Sequence, residues 1–419
     1  MDGSKPQSRF FYFVLLVTLT GDMLLSFTAT ILVYAHTQDI AMSGLVYAME
    51  WSSRLLLIPL IGRWVDTQGI RQCAIFFDSC KIVACLLFWR ATYIIETPTT
   101  LAITTGVFCG LIALSNAQTL IVYEKYVADL DKLQPESRLD AYANLISKAD
   151  QFAMVLGPLL GFFLFKKSLT GVMLMAMIAY LTNLYFFVTK RYAAAHRLES
   201  PKTPTAKEQC IWTGIGTLWH QERVLIGTLM LIVTGNFFSN MLDGTVEAAG
   251  VAVVFEQMHQ PIEYYAFILI AAGGVGVVAT MLFSKLYRTN KETLLLLSVV
   301  LLEGLAGVGL LINFHNFISF IFFYALCIGS KIIRGTLTRL YRMRTLPSNL
   351  FASVSSLMTV LGQLSLPLVG LLLYNAPEHH LRPQYIILVC TVIILACSLA
   401  LYMRWTKSTN KNIAIASRV

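Results

Sequence analysis

Apolar segments about 20 residues long recur along the whole chain, and short polar stretches separate them. A helix needs about 20 mostly apolar residues to cross a hydrocarbon layer of about 30 Å. The pattern therefore predicts an all-α integral membrane protein with twelve transmembrane helices. The predicted spans are residues 10–34, 41–61, 73–95, 101–123, 142–165, 171–188, 224–255, 262–283, 293–313, 317–333, 351–374 and 385–403.

The longest polar connection follows the sixth span and divides the chain in half. Residues 189–223 contain the linker-like stretch ESPKTPTAKEQ and then CIWTGIGTLWHQ, which predicts an interfacial helix. Spans 5 and 11 share a Pro-x-x-Gly pattern, Pro158 with Gly161 and Pro367 with Gly370, at a constant offset of 209 residues. These features predict two six-helix pseudo-repeats, residues 1–188 and 224–419, around a central cavity.

Composition excludes a soluble protein and gives the orientation. Hydrophobic residues make up 56% of the chain and charged residues 13%, with a mean hydropathy of +0.66. The net charge of +9 does not indicate a nucleic-acid partner, because 25 of the 32 basic residues fall in predicted inner loops and tails and 3 in outer ones. This asymmetry places both termini in the cytoplasm. The eight cysteines show no disulfide or zinc spacing.

Charged residues inside a bilayer each cost roughly 2.5–3.5 kcal/mol, so each needs a partner, a cavity or an interface. Glu50 and Arg54 are four residues apart in span 2, and Asp78 and Lys81 are three apart in span 3. We interpret both as structural ion pairs within one helix. The basic residues at the inner end of span 10 are assigned to the membrane interface; they are Lys331 and Arg334.

Asp22 differs because its helix carries no basic residue to pair with in mid-span. With Ser26 one turn away, it is a candidate for binding a substrate, a metal cation or a proton. Span 5 carries Lys148, Asp150 and Gln151, and Lys148 is a candidate partner for Asp22 or Asp150. A buried structural hydrogen bond of Asp22 is the alternative.

Span 7 carries an acidic and amide stripe. Asn236, Asn240, Asp243 and Glu247 are separated by 4, 3 and 4 residues and share one helical face. We interpret this face as a binding surface for substrate or a coupling ion. The apolar run is too long for one straight crossing, so we predict a break at Asp243-Gly244 that frees backbone carbonyls.

The loop after span 2 reads GRWVDTQGIR and resembles the Gly-x-x-x-Asp-x-x-Gly-x-Arg signature of the major facilitator superfamily, with Gly62, Asp66, Gly69 and Arg71 in register. The resemblance implies a gating role for this loop. Span 5 contains Gly157-Pro158-x-x-Gly161, which resembles the motif of the antiporter branches and implies export. Plain packing of small residues around a proline kink is the alternative.

Three stretches resemble the ferroportin branch, whose members export divalent metals: Gly-Asp in span 1, GRWVD after span 2, and Lys-x-Asp-Gln followed by Pro in span 5. The resemblance implies a metal ligand at Asp22, gating roles for Asp150 and Gln151, and an unwound span 7 around a second site, for which Asp243 is the candidate ligand. Ser26 stands where vertebrate members carry histidine, so oxygen ligands would suit a hard cation or a polar organic cargo.

Together these features predict a secondary active transporter, an exporter of an iron-linked solute that is either a divalent metal ion or a siderophore. Proton-coupled efflux of another small organic molecule or drug is the alternative, and a membrane-embedded enzyme or a receptor is a remote one. No catalytic constellation or phosphate-binding loop is present in the sequence, and we expect no cofactor. We expect a monomer in a bacterial inner membrane, with protons as a coupling ion.

Overall fold

The computed structural model describes residues 5–133, 139–189, 223–286, 292–345, 357–375 and 382–416. Within these ranges all regular structure is helical, which confirms the predicted fold class. The helices are α1 (Lys5–Thr37), α2 (Ile40–Gln68), α3 (Ile70–Ala91), α4 (Pro98–Leu133), α5 (Leu139–Phe165), α6 (Leu169–Val188), α7 (Arg223–Ala252), α8 (Tyr265–Leu286), α9 (Glu292–Ile312), α10 (Phe317–Thr345), α11 (Ser365–Tyr374) and α12 (Pro383–Ala416).

Eleven of the described helical segments are long and apolar enough to cross a membrane. Their order matches that of the predicted spans. Helix α2 is not among the eleven, and the side chains of much of its second half lie outside the described residues. The predicted interfacial segment in residues 189–223 lies outside the described residues, apart from its two ends.

The described chain forms two compact units. The first contains the six N-terminal helices together with residues 248–277 and 370–380. The second contains most of α7, the last part of α8 from residue 278 onward, and α9, α10 and α12. The predicted domain boundaries, 1–188 and 224–419, stay a prediction, since these units follow contacts and not the order of the chain.

In the first unit α1 packs against α5 and α6, α2 against α4, and α3 against α4 and α6. Two glycines of α5 permit the close approach to α1. A Cβ atom on Gly157 would lie 2.5 Å from Met23 Cβ and 2.8 Å from the Leu24 backbone nitrogen, and one on Gly161 would meet the ring of Phe27. Helix α5 continues through Pro158 to Phe165. The small-residue interpretation of this motif therefore matches the packing.

The repeat of that motif in α11 also marks close packing. A Cβ atom on Gly44 of α2 would lie 2.7 Å from the carbonyl oxygen of Gly370. Both glycines belong to the first unit. The two Pro-x-x-Gly sequences therefore share a physical role, which is to remove side-chain volume where helix backbones meet.

The break predicted at Asp243-Gly244 is wrong. Helix α7 is continuous from Arg223 to Ala252 and ends in a π-helical turn, Val253–Gln257. Gly244 and Thr245 are buried, and the Thr245 hydroxyl donates to the Met241 carbonyl oxygen at 2.7 Å. Tight packing on both sides of the dipeptide favours the regular helix, since a freed carbonyl there would lose its hydrogen bond.

An interruption occurs instead before α11. Residues 357–363 are helical, Leu364 forms a turn, and the helix resumes at Ser365. Pro367 follows shortly, and it cannot donate a backbone hydrogen bond to the preceding turn. The Gly362 carbonyl oxygen accepts from Asn240 Nδ2 and from Ser365 Oγ, both at 3.0 Å. The interruption thus lies in span 11, where a backbone carbonyl oxygen accepts from a side chain of span 7.

Candidate functional site

A buried ion pair links the first and third helices of the first unit. Lys81 Nζ on α3 lies 3.0 Å from Asp22 Oδ1 and 3.3 Å from Oδ2 on α1. It also donates to Thr119 Oγ1 on α4 at 3.2 Å, and it lies 4.7 Å from the ring centroid of Tyr180. The Tyr180 hydroxyl on α6 donates to Asp22 Oδ1 at 2.7 Å. We call Asp22, Lys81, Thr119 and Tyr180 the first polar cluster.

The first polar cluster corrects two predicted pairings. Lys81 bonds to Asp22 and not to Asp78, although Asp78 is one turn away on its own helix. Asp78 turns to α6, where its Oδ2 accepts from Asn183 Nδ2 at 2.7 Å. Lys148, proposed as a partner of Asp22, is half-buried on α5. Helix α3 lies directly against α6, so Asp78 has a partner on α6 and does not need to pair with Lys81.

Burial makes the first polar cluster more than a surface contact. Asp22 is 2% exposed and Lys81 1% exposed, and Asp78 is completely buried. An ion pair this deep has exchanged its water for protein partners, so removal of one partner would leave an uncompensated charge. The side-chain oxygen Oδ1 of Asn183 accepts in turn from the Tyr123 hydroxyl at 2.5 Å. Polar contacts thus extend through α1, α3, α4 and α6.

The second unit contains a comparable group of side chains. Asp243 Oδ2 on α7 accepts from Lys331 Nζ on α10 at 2.6 Å, and its Oδ1 accepts from the Tyr324 hydroxyl. The side chains of Asp243 and Lys331 remain 17% and 27% exposed. We call Asp243, Tyr324 and Lys331 the second polar cluster. It is less enclosed than the first cluster, so solutes can reach its charges more easily.

A further ion pair lies beside the second polar cluster. Arg334 Nε on α10 is 3.1 Å from Glu303 Oε2 on α9, a charge contact without the alignment of a hydrogen bond. Arg334 Nη2 also donates to the Gly235 carbonyl oxygen at 3.4 Å. Glu303 and Lys331 line one small cavity of about 10 Å³, the space that one water molecule needs. Arg334 is buried and Lys331 is partly exposed, and each contacts a carboxylate of a neighbouring helix; their assignment to the membrane interface stays a prediction.

The remaining predicted residues fall at varied places. Ser26 Oγ donates to Glu50 Oε1 at 3.4 Å. The Arg54 guanidinium lies 4.8 Å from the Trp51 ring centroid, so its pairing with Glu50 stays a prediction. Asp150 and Gln151 are half-buried on α5, as are Asn236 and Glu247 on α7.

In the loop between α2 and α3, the structure shows what two of the four motif residues do. Gly69 has a φ of 85° and links the two helices, a conformation that only glycine adopts at low cost. Arg71 Nε and Nη2 donate to the carbonyl oxygens of Phe187 and Val188, at 3.1 and 3.2 Å. Arg71 thereby satisfies the carboxyl end of α6. The side chain of Asp66 and the surroundings of Gly62 lie outside the described residues.

Sequence reasoning missed several members of these clusters. Glu303 is a lone carboxylate inside predicted span 9, so the rule that membrane charges need partners could have found it. The hydroxyl donors Tyr180 and Tyr324 carry no such signal, because tyrosines are common in membrane spans and most serve packing.

Known structures resemble this chain in fold. A bacterial homologue of the iron transporter ferroportin, crystallised in an inward-facing state, matches with a TM-score of 0.73 at 15% identity, covering 96% of this chain and 99% of that one. The peptide transporter POT matches with a TM-score of 0.68 at 13% identity, covering 94% of each chain. A D-xylose-proton symporter matches with a TM-score of 0.64 at 13% identity, covering 93% and 97%.

These likenesses confirm the predicted fold. At identities of this size they show that the chain shares its fold with these transporters, the ferroportin homologue among them. No known protein-family profile matches the sequence, and no curated protein matches it.

Proposed function

We propose that this protein is a secondary active transporter that moves a small polar solute across a membrane by alternating access. The observation that carries the proposal is the second polar cluster. A partly exposed carboxylate and ammonium, 2.6 Å apart, lie on helices of a transporter fold. Charges in a membrane are costly to retain, and a binding or coupling role explains why they remain there.

The proposed cargo is iron-linked and exported, in line with the likeness to a ferroportin homologue. Of the two candidates, a siderophore-like organic chelator fits the contacts better than a bare divalent metal. Both carboxylate oxygens of Asp22 already accept hydrogen bonds from Lys81. Both carboxylate oxygens of Asp243 accept hydrogen bonds from side chains of α10. A metal ion would have to displace these donors, whereas an organic solute can exchange hydrogen bonds with Asp243 and Lys331.

Other expected features stay proposals. We propose that α5 contributes to gating through its glycine contact with α1, that both termini are cytoplasmic, and that protons serve as the coupling ion. A monomer in a bacterial inner membrane is the expected form.

Reconstitution in liposomes tests the proposal. With a pH gradient imposed, uptake of ferrous or cobaltous ion would be compared with uptake of a ferric-chelating organic acid such as citrate. We expect gradient-dependent uptake of the chelator above that of the metals, and a lower rate for Asp243→Asn. If the metals alone move, the cargo is the metal ion. If nothing iron-linked moves, and Asp22→Asn does not alter the stabilisation of the protein by either probe, the iron-linked proposal is wrong.

A second candidate is proton-coupled efflux of another small organic molecule. The lysine–carboxylate pair of the second polar cluster favours it, because either partner of such a pair can exchange its contact for one with a charged or polar cargo. Uptake of a dye or drug by the same liposomes, without uptake of either iron probe, would select this candidate. Substrate turnover without transport would favour an enzyme.

A further inference from the structure

Glu50 borders a small cavity inside the first unit. The cavity lies among α1, α2 and α4 and measures about 10 Å³, enough for one water molecule. Its polar lining consists of Glu50, Ser43, Tyr47, Thr30 and Cys109, and the rest is aliphatic. A carboxyl group thus adjoins a space that fits a single water deep in a membrane helix bundle.

The carboxyl of Glu50 is weakly satisfied compared with that of Asp22. Among the described residues it receives one hydrogen bond, from Ser26 Oγ, at the long distance of 3.4 Å. Asp22 accepts hydrogen bonds from the Lys81 ammonium group and from the Tyr180 hydroxyl. A half-buried carboxylate with so few donors is costly in its ionised form, whereas a protonated carboxyl is neutral and needs less compensation.

Ser43 provides an independent sign that the cavity is occupied. The residue is 5% exposed, lines the cavity, and its Oγ has no hydrogen-bond partner. A buried hydroxyl without a partner costs free energy, and a bound water would satisfy it. Ser43 and Glu50 line the same cavity, so a water there lies close to the carboxyl and can carry a proton to and from it.

The groups around Glu50 favour a proton over a metal cation. On α2 itself Arg54 lies one turn away and Tyr47 lines the cavity, and Cys109 faces it from α4. Helix α1 contributes the hydroxyls of Ser26 and Thr30, and Ala248 completes the wall. The fixed positive charge of Arg54 would repel a metal cation; it also stabilises the ionised carboxylate, so a proton bound at Glu50 can be released again.

We propose that Glu50 binds one exchangeable proton, delivered and removed by a water in this cavity. In the step, one O–H bond of a hydronium breaks as one forms at a Glu50 carboxyl oxygen, and release is the reverse. The role as coupling site rests on the proposed transport function. It replaces the interpretation of Glu50 as half of a structural ion pair and assigns the coupling proton to α2.

Infrared spectroscopy of the full chain in detergent tests the site without any cargo. The carboxylic acid C=O stretch, identified by its shift in deuterium oxide, would be followed as pH is raised. We expect Glu50→Gln to lose the intensity of one titrating carboxyl. Glu263→Gln is the matched control, because Glu263 lies in a short turn and pairs with the exposed Lys166 at 3.5 Å. This control should keep the particular band that Glu50→Gln loses, and lose only that of a partly exposed carboxyl at a different frequency.

Ser43→Ala keeps the proposal testable if Glu50→Gln folds poorly. It should retain the band but shift its frequency, since the water beside Glu50 loses one partner. Equal titrating intensity in the wild type and Glu50→Gln would overturn the proposal. So would a carboxylate that stays ionised at every pH while sodium ion raises the unfolding temperature of the wild type but not of Glu50→Gln.

The site and the transport proposal can fail separately. An unchanged band in Glu50→Gln would refute the proton site and leave transport untouched. A band that behaves as expected, in liposomes that transport nothing under a pH gradient, would refute transport and retain the proton site.

Discussion

Lys81 of α3 bonds to both carboxylate oxygens of Asp22 of α1, at 3.0 and 3.3 Å, and the two side chains are almost completely buried. The contact joins two residues that are 59 positions apart in sequence and lie on different helices. Since the pair is enclosed and receives further bonds from Thr119 and Tyr180, it fixes how α1 is rotated against α3. Any motion of α1 relative to α3 would have to break this pair or carry it along.

Lys81→Met should destabilise the protein by about 3–5 kcal/mol, because it leaves the Asp22 carboxylate buried without its counter-charge. The unfolding midpoint in detergent measures the loss. Adding Asp22→Asn to Lys81→Met should restore much of the stability, since the double variant buries no charge. Lys166→Met is the matched control, and it should cost at most about 1 kcal/mol, because Lys166 is exposed and its contact with Glu263 is long, at 3.5 Å. A double variant no more stable than Lys81→Met would contradict this account.

Arg334→Met should also be strongly destabilising, by about 3–5 kcal/mol, because Glu303 would keep a buried charge without its cation. Glu303→Gln in the same chain should recover part of the loss. Arg339→Met, at an exposed position one and a half turns further along α10, is the comparison and should change stability little. Equal effects of the two arginine substitutions would show that the Glu303 contact contributes nothing.

Asp243→Asn should reduce transport about tenfold, which corresponds to about 1.4 kcal/mol, while the unfolding midpoint changes less than it does in Lys81→Met. The substitution removes the charge that holds Lys331 but retains an oxygen for the Tyr324 hydroxyl. Initial rates in liposomes against cargo concentration are the measurement. A purely structural role predicts the opposite result, a large drop in stability with unchanged transport per folded molecule.

Gly157→Ala should cost about 1–3 kcal/mol, because its new methyl group would overlap Met23 and the backbone at Leu24 on α1. Gly274→Ala is a matched control on α8, since a Cβ atom there meets nothing within 4 Å. That control should be neutral or stabilise by up to about 1 kcal/mol through helix propensity. Thermal unfolding of the two variants compares them directly. Equal midpoints would show that α1 and α5 can separate slightly at no cost.

The sequence alone determined the helices and the residues that needed an explanation. Segment length and hydropathy are local properties, so spans and their order followed from them. The cost of membrane charges singled out Asp22, Lys81 and Asp243 for the same reason, before any partner was known. The loop motif also drew attention to Gly69, but its positive φ became known only from the structure.

Only the tertiary structure decided which charges meet. Lys81 had Asp78 within reach on its own helix, but the rotation of α3 directs Lys81 to α1 and Asp78 to α6. A helix interruption was predicted in span 7 but is found in span 11. Gly244 of span 7 is buried within a continuous helix, whereas the Gly362 carbonyl oxygen of span 11 accepts a hydrogen bond from the Asn240 side chain. Partner choice depends on the neighbours and the rotation of each helix, and neither is a property of the local sequence.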